Sequence, residues 1–196
     1  MKVPADPYAD FVPHPRFGRG PRRTGLDPAN TPDGSVFLHW HSGPEVRVPG
    51  TAIAANTTDQ CQATVPVTHY FDARRVCRQC ARPFLFFAEE QKHWYEELKF
   101  PLEADCLECV PCRKAEQRLQ AAQRRYASLL GHPQRSVAET LELVECGVFL
   151  VEAGVFSKKS LPKLLGLLKA VGAAPGSAHH EQALVLRARV VAAEVR

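Results

Sequence analysis

The chain has 196 residues, 45% of them hydrophobic, enough for a real core in one or two domains. It has no run of about 18 apolar residues, and its opening Met1-Lys2-Val3-Pro4-Ala5-Asp6-Pro7 lacks the apolar segment of a secretory signal, so no membrane span or export is expected. A formal charge of +4 permits an acidic partner without demanding one, and the seven cysteines read as metal ligands and buried thiols of a cytoplasmic protein rather than as a disulfide framework.

Residues 1–68 hold most of the prolines and half of the glycines. Turn signals crowd Asp27-Pro28, Thr31-Pro32-Asp33-Gly34 and Pro49-Gly50, so helices are excluded. The expectation is an extended arm with short strands, one at Val36-Phe37-Leu38-His39-Trp40 and another opening at Thr64 and running to Phe71.

Residues 69–130 form the second region. Pro83-Phe84-Leu85-Phe86-Phe87 reads as a buried strand, and Glu89 to Leu98 as a short helix with carboxylates in its first turn, where the dipole favours them. Pro101 ends it. Pro111 suits the first position of a longer helix running to about Leu130. At 100° per residue its Ala115, Leu119, Ala122, Tyr126 and Leu129 share one stripe, with Lys114, Gln117, Arg118, Arg124 and Arg125 on the other side.

Residues 134–196 read as a helical bundle. Ser136-Val137-Ala138-Glu139 is a capping box that opens a helix ending near Gly154. Ser160 is expected to cap a second helix from Leu161 to about Val171. A third follows Pro175-Gly176-Ser177, and the short connections imply antiparallel packing.

The residues with the most chemistry are Cys77-Arg-Gln-Cys80 and Cys109-Val-Pro-Cys112. Two C-x₂-C pairs are the sequence form of a four-thiolate Zn²⁺ site, in which each tight turn supplies one edge of the ligand tetrahedron. Four thiolates close the shell, so one structural zinc is expected, with no open position for water. The spacing also allows a second pair, Cys106-Leu-Glu-Cys109, in which Cys106 substitutes for Cys112. Redox chemistry is disfavoured because no βαβ pattern surrounds either pair. Cys61 and Cys146 read as ordinary thiols, Cys146 beside Val144 and Val148 on a helix.

Residues 69–116 resemble the probable zinc-ribbon family of bacterial proteins, whose finger is of the treble-clef type. The resemblance rests on the opening Cys77-Arg78-Gln79-Cys80, on Glu90-Gln91-Lys92-His93-Trp94-Tyr95-Glu96, and on the ending Cys109-Val110-Pro111-Cys112-Arg113. The stretch Pro15 to Leu26 also resembles the leader of some members. In that family the last ligand precedes an Arg at a helix start, which favours Cys112 over Cys106. The implied architecture is α+β: an extended Pro/Gly-rich arm, a small treble-clef finger ending in a long helix, and a C-terminal antiparallel helical bundle. The resemblance implies a zinc-held fold and no activity.

The cations Arg16, Arg19, Arg22 and Arg23, interleaved with Phe17, could form a nucleic-acid tail, and Lys114, Arg118 and Arg125 could track phosphates. Acidic residues flank the tail, which equally suits an arm docked on its own protein. Residues 70–126 carry eleven Lys/Arg against nine Asp/Glu, and a Zn²⁺ with four thiolates adds about −2. The module is then close to neutral, which argues against a dedicated DNA binder. His39-Trp40-His41 and His93-Trp94-Tyr95 read as packing residues before metal ligands or a base-stacking platform. No Gly-x-Ser-x-Gly, P-loop or His-Glu-x-x-His occurs. The expectation is a non-enzymatic adaptor for nucleic acid or protein with no small-molecule substrate. A metal-dependent nuclease using His93 or His39 is the alternative.

Overall fold

The computed structural model describes residues 6–61, 65–171 and 175–195. The opening Met1 to Ala5 and the expected strand start at Thr64 lie outside them. The chain divides into two compact units, Met1–Arg113 and Lys114–Arg196.

The first unit is built on two antiparallel pairs. Strand β1 (Ile53–Ala54) pairs with β2 (His69–Tyr70), and β3 (Ala73–Val76) pairs with β4 (Pro83–Phe86), Ala73 facing Phe86 and Val76 facing Pro83. Side chains alternate faces along a strand, and here both faces of β4 are covered. Phe84 and Phe86 pack with Val12, Cys77, Cys106 and Cys109, whereas Leu85 and the following Phe87 pack with Tyr8 and Val48. An unbroken apolar run is what two buried faces require.

The proline-rich segment contributes backbone to this hairpin one residue at a time. Val12 donates its N–H to the Pro83 carbonyl at 2.8 Å and bridges Phe84 in parallel. On the opposite edge Arg47 bridges Ala73, with the Val48 N–H reaching the Asp72 carbonyl and the Arg74 N–H the Val46 carbonyl, both at 2.8 Å. The two expected strands of this segment are therefore corrected. Residues 36–40 supply a single bridge from Leu38 to His69, and the 64–71 stretch is strand only at His69–Tyr70. The side chain of Gln60 explains the second loss. It accepts from the Val67 N–H at 3.0 Å and donates to the Val67 carbonyl at 2.6 Å, occupying the groups a neighbouring strand would have used.

The expected 89–98 helix is also corrected. Helix α1 (Ala88–Lys92) passes into a π-helical turn, His93–Glu97, closed by the Leu98 N–H on the His93 carbonyl at 2.9 Å. The wider turn sets Trp94 against Phe86 and Tyr95 against Tyr70.

Helix α2 (Val110–Leu130) is long but almost bare. Of its expected apolar stripe only Leu129 is buried, Leu119, Ala122 and Tyr126 are half-buried, and Ala115 is exposed. In the second unit α3 (Val137–Glu152), α4 (Leu161–Ala170) and α5 (Ala178–Val195) share a core of Leu141, Val144, Val148, Leu161, Leu164, Leu186 and Val190. The Ser136 capping box is formed, its hydroxyl accepting from the Glu139 N–H at 3.2 Å and the Glu139 carboxylate from the Ser136 N–H at 2.8 Å. Gly154 closes α3 with φ of 74°, a left-handed conformation that suits glycine. Ser160 makes no side-chain cap. Ser157 instead receives the Lys159 N–H and opens a 3₁₀ turn over Lys158–Ser160 ahead of α4. Gly147 admits α4, since a Cβ there would lie 2.8 Å from Leu164 Cδ2. Among the described residues no helix is long and apolar enough to cross a membrane.

Candidate metal centre

The first cysteine pair sits on the turn joining β3 to β4. The Ala81 N–H donates to the Cys77 carbonyl at 2.9 Å and the Cys77 N–H to the Arg82 carbonyl at 3.0 Å, folding the chain back within six residues. Ala81 takes a positive φ of 57° to complete that turn. The second pair lies at the start of α2, where the Arg113 N–H donates to the Cys109 carbonyl at 3.0 Å. A backbone hydrogen bond joins the two segments directly: the Arg78 N–H reaches the Leu107 carbonyl at 2.9 Å.

Folding thereby gathers Cys77, Cys80, Cys109 and Cys112, whose Sγ atoms all lie within 4.8 Å of one another. Four sulfurs at about 2.3 Å from one ion are separated by about 3.8 Å in a tetrahedron. Cys80 Sγ and Cys109 Sγ stand 3.9 Å apart, so this edge of the cage has the length zinc needs. The donor set fits as well. Burial opposes ionisation of Cys77, but N–H groups of Cys109, Cys80 and Gln79 outweigh it and draw the thiol down to about 6. Burial is the largest cause pushing Cys109 and Cys112 up, with the Cys77 and Cys80 thiols adding to it and, at Cys109, the Cys112 N–H and thiol opposing it. A divalent cation removes that conflict by neutralising the thiolates together. Among the described residues this is the one group of three or more His, Cys, Asp or Glu side chains with mutually close ligand atoms.

Cys106 is not in the cage. Its thiol is buried, donates to the Glu108 carbonyl at 3.3 Å, and is pushed up to about 12 by desolvation. It packs as a small apolar residue beside Phe84 and Phe86. Cys61 is exposed and Cys146 half-buried.

Residues 71–121 match a family described as a probable treble clef domain. This segment is a treble-clef zinc-binding domain. Its knuckle is the β3–β4 turn and its ligand-bearing helix is α2, and the four cysteines are suited to one structural zinc. No curated protein and no solved structure matches the chain.

Several residues support the treble clef in roles that sequence patterns did not identify. Glu90 is buried and ion-paired to Arg113, the residue after the last ligand, whose guanidinium stacks 4.8 Å from the Trp94 ring. His14 of the arm places Nε2 3.8 Å from the same carboxylate. A second group holds the 102–105 loop ahead of Cys106 and Cys109. The buried His39 ring bonds the Leu102 carbonyl through Nε2, His41 Nε2 meets the Glu103 carbonyl at 3.1 Å, and the Tyr95 hydroxyl donates to the Ala104 carbonyl at 2.6 Å. Arg75 joins Asp105 at 3.1 Å and the His41 carbonyl at 2.9 Å. The adjacent histidines of His39-Trp40-His41 were the available sequence signal, but nothing local links them to a loop over sixty residues away. His93 is exposed and pairs with Glu97 at 2.8 Å.

The candidate phosphate-binding cations are spread over both units. Arg22 gives its backbone N–H to Asp72 at 2.7 Å and its guanidinium to Glu89 at 2.7 Å, and Arg23 bonds the Pro49 carbonyl. Arg16 lies 5.2 Å from the Phe17 ring. Arg125 forms a two-point pair with Glu142 at 2.7 and 2.5 Å. Arg19, Lys114 and Arg118 are exposed.

Proposed function

We propose that the protein is a zinc-stabilised, non-enzymatic adaptor of the cytoplasm that binds nucleic acid through the basic side of α2. The observation that carries this reading is the helix itself: directly after the ligand pair it presents Lys114, Arg118, Gln117 and Arg124 to solvent, with only Leu129 buried. Lys114 and Arg118 stand one turn apart on one stripe, an arrangement that suits a row of phosphates. Arg19 and Arg16 of the arm are the further candidates, because Arg22, Arg23 and Arg125 already serve acceptors of the chain. The closed thiolate shell favours a scaffold over a reaction centre.

The test is binding of short labelled RNA and DNA to the zinc-loaded protein across a salt series. The expected result is a steep inverse salt dependence, with the Lys114→Ala/Arg118→Ala variant losing about two units of log–log slope at unchanged zinc content. Absence of salt-sensitive binding, with salt-insensitive capture of a protein instead, would overturn the nucleic-acid version. Divalent-dependent cleavage lost in His93→Ala or His39→Ala would favour the nuclease. The commitment of His39 to the Leu102 carbonyl and of His93 to Glu97 weighs against that outcome.

A further inference from the structure

Helix α5 is apolar on two opposite sides. Leu186, Val190 and Ala193 turn inward to the bundle core. About 160° around the helix lie Leu184, Ala188, Val191 and Val195, spaced four, three and four residues apart. Leu184 is 53% exposed, Val191 49% and Val195 85%. An ordinary surface helix has one apolar stripe and a charged back, so a second stripe calls for a second packing partner. The 4-3-4 spacing is that of a coiled-coil seam.

The flanking charges favour one occupant. Arg187 and Glu194 both line the same flank of this stripe, seven residues apart, and neither is ion-paired among the described residues. If a second α5 runs antiparallel across the seam, Leu184 meets Val195 and Ala188 meets Val191 in closed layers. The same register brings Arg187 of one copy to Glu194 of the other, twice by symmetry. The large-against-small alternation of the central layers lets the backbones approach. The stripe is self-complementary in shape and in charge.

We propose that the protein self-associates through antiparallel pairing of α5 with α5 of a second copy, giving a twofold dimer. A seam of four layers buries less than a standard interface of about 1,600 Å², so the dimer is weak and concentration-dependent.

The test is sedimentation equilibrium of the zinc-loaded full chain over a wide concentration range. The expected result is a mass that rises from one chain to two, and a Val191→Glu variant that stays at one chain with unchanged far-ultraviolet dichroism and zinc content. Arg187→Glu and Glu194→Arg should each weaken the dimer roughly tenfold, since every dimer holds the pair twice, and the double reversal should restore it. A single-chain mass at every concentration would overturn the proposal and leave the face for a different protein. So would a dimer that survives Val191→Glu, or a double reversal no better than its parents.

Discussion

Asp72 accepts the backbone N–H of Arg22 at 2.7 Å, tying the arm to the treble clef across fifty residues of chain. Its other oxygen accepts the Ala88 N–H at 2.8 Å, at the first residue of α1, and the side chain is fully buried. Burial pushes the carboxyl up to about 6, against the two N–H groups that hold it down. One carboxylate thus satisfies two buried donors from two separate segments. An Asn in its place offers one oxygen and one NH₂, so one of the two N–H groups is left facing a donor. Asp72→Asn is expected to destabilise the protein by about 1–3 kcal/mol, read as a lowered denaturation midpoint in zinc-saturated buffer. A midpoint equal to the wild type would show that the clamp contributes nothing.

Zinc removal should melt the treble clef. Trp94 and Cys112 pack against the cluster containing Cys77, Cys106 and Cys109, and Tyr95 is buried beside Tyr70. Chelation is expected to abolish the near-ultraviolet dichroism of these rings while the helical signal of α3–α5 persists. The ligand set is checked separately by metal content: Cys112→Ser should lose zinc, and Cys106→Ser should retain one equivalent because its sulfur serves the Glu108 carbonyl.

His39 makes the ligand-bearing loop acid-sensitive. Burial lowers its pKa below the usual 6.5, outweighing the Leu102 carbonyl, with His41, Asp105 and Arg75 as the nearby charges. The folded state therefore binds this proton less readily than the unfolded chain. The stabilisation is fully present above about pH 6.5 and falls as the pH drops from there toward the lowered folded value. Denaturation midpoints measured from pH 8 to pH 5 should decline more steeply for the wild type than for His39→Gln, whose amide can still donate to Leu102. Parallel curves would remove His39 as the cause.

How much of this was legible in the sequence depended on range. The cysteine pairs, the capping box at Ser136 and the stop at Gly154 are local patterns whose geometry is set within a few residues, and each was readable. The strand expected over 64–71 shrank because the Gln60 side chain competes for Val67, an interaction no alternation pattern encodes. The single helix expected over 89–98 became α1 and a π turn because Trp94 and Tyr95 serve different clusters. The stripe on α2 satisfied helical periodicity, yet periodicity records only where apolar residues fall and not whether anything packs on them. His39 and Asp72 were out of reach for a simpler reason: their partners are distant in sequence and carry no chemical signal of their own.

The placement of Val12 along β4 and of Arg47 along β3 has a consequence for handling the protein. A bare two-stranded ribbon offers open N–H and C=O groups on each side, to which foreign chains can add and seed fibrils. In this molecule its own polypeptide takes those positions at Phe84 and Ala73. Trimming the segment that contains Val12 would uncover one rim and leave the ribbon open to cross-β stacking.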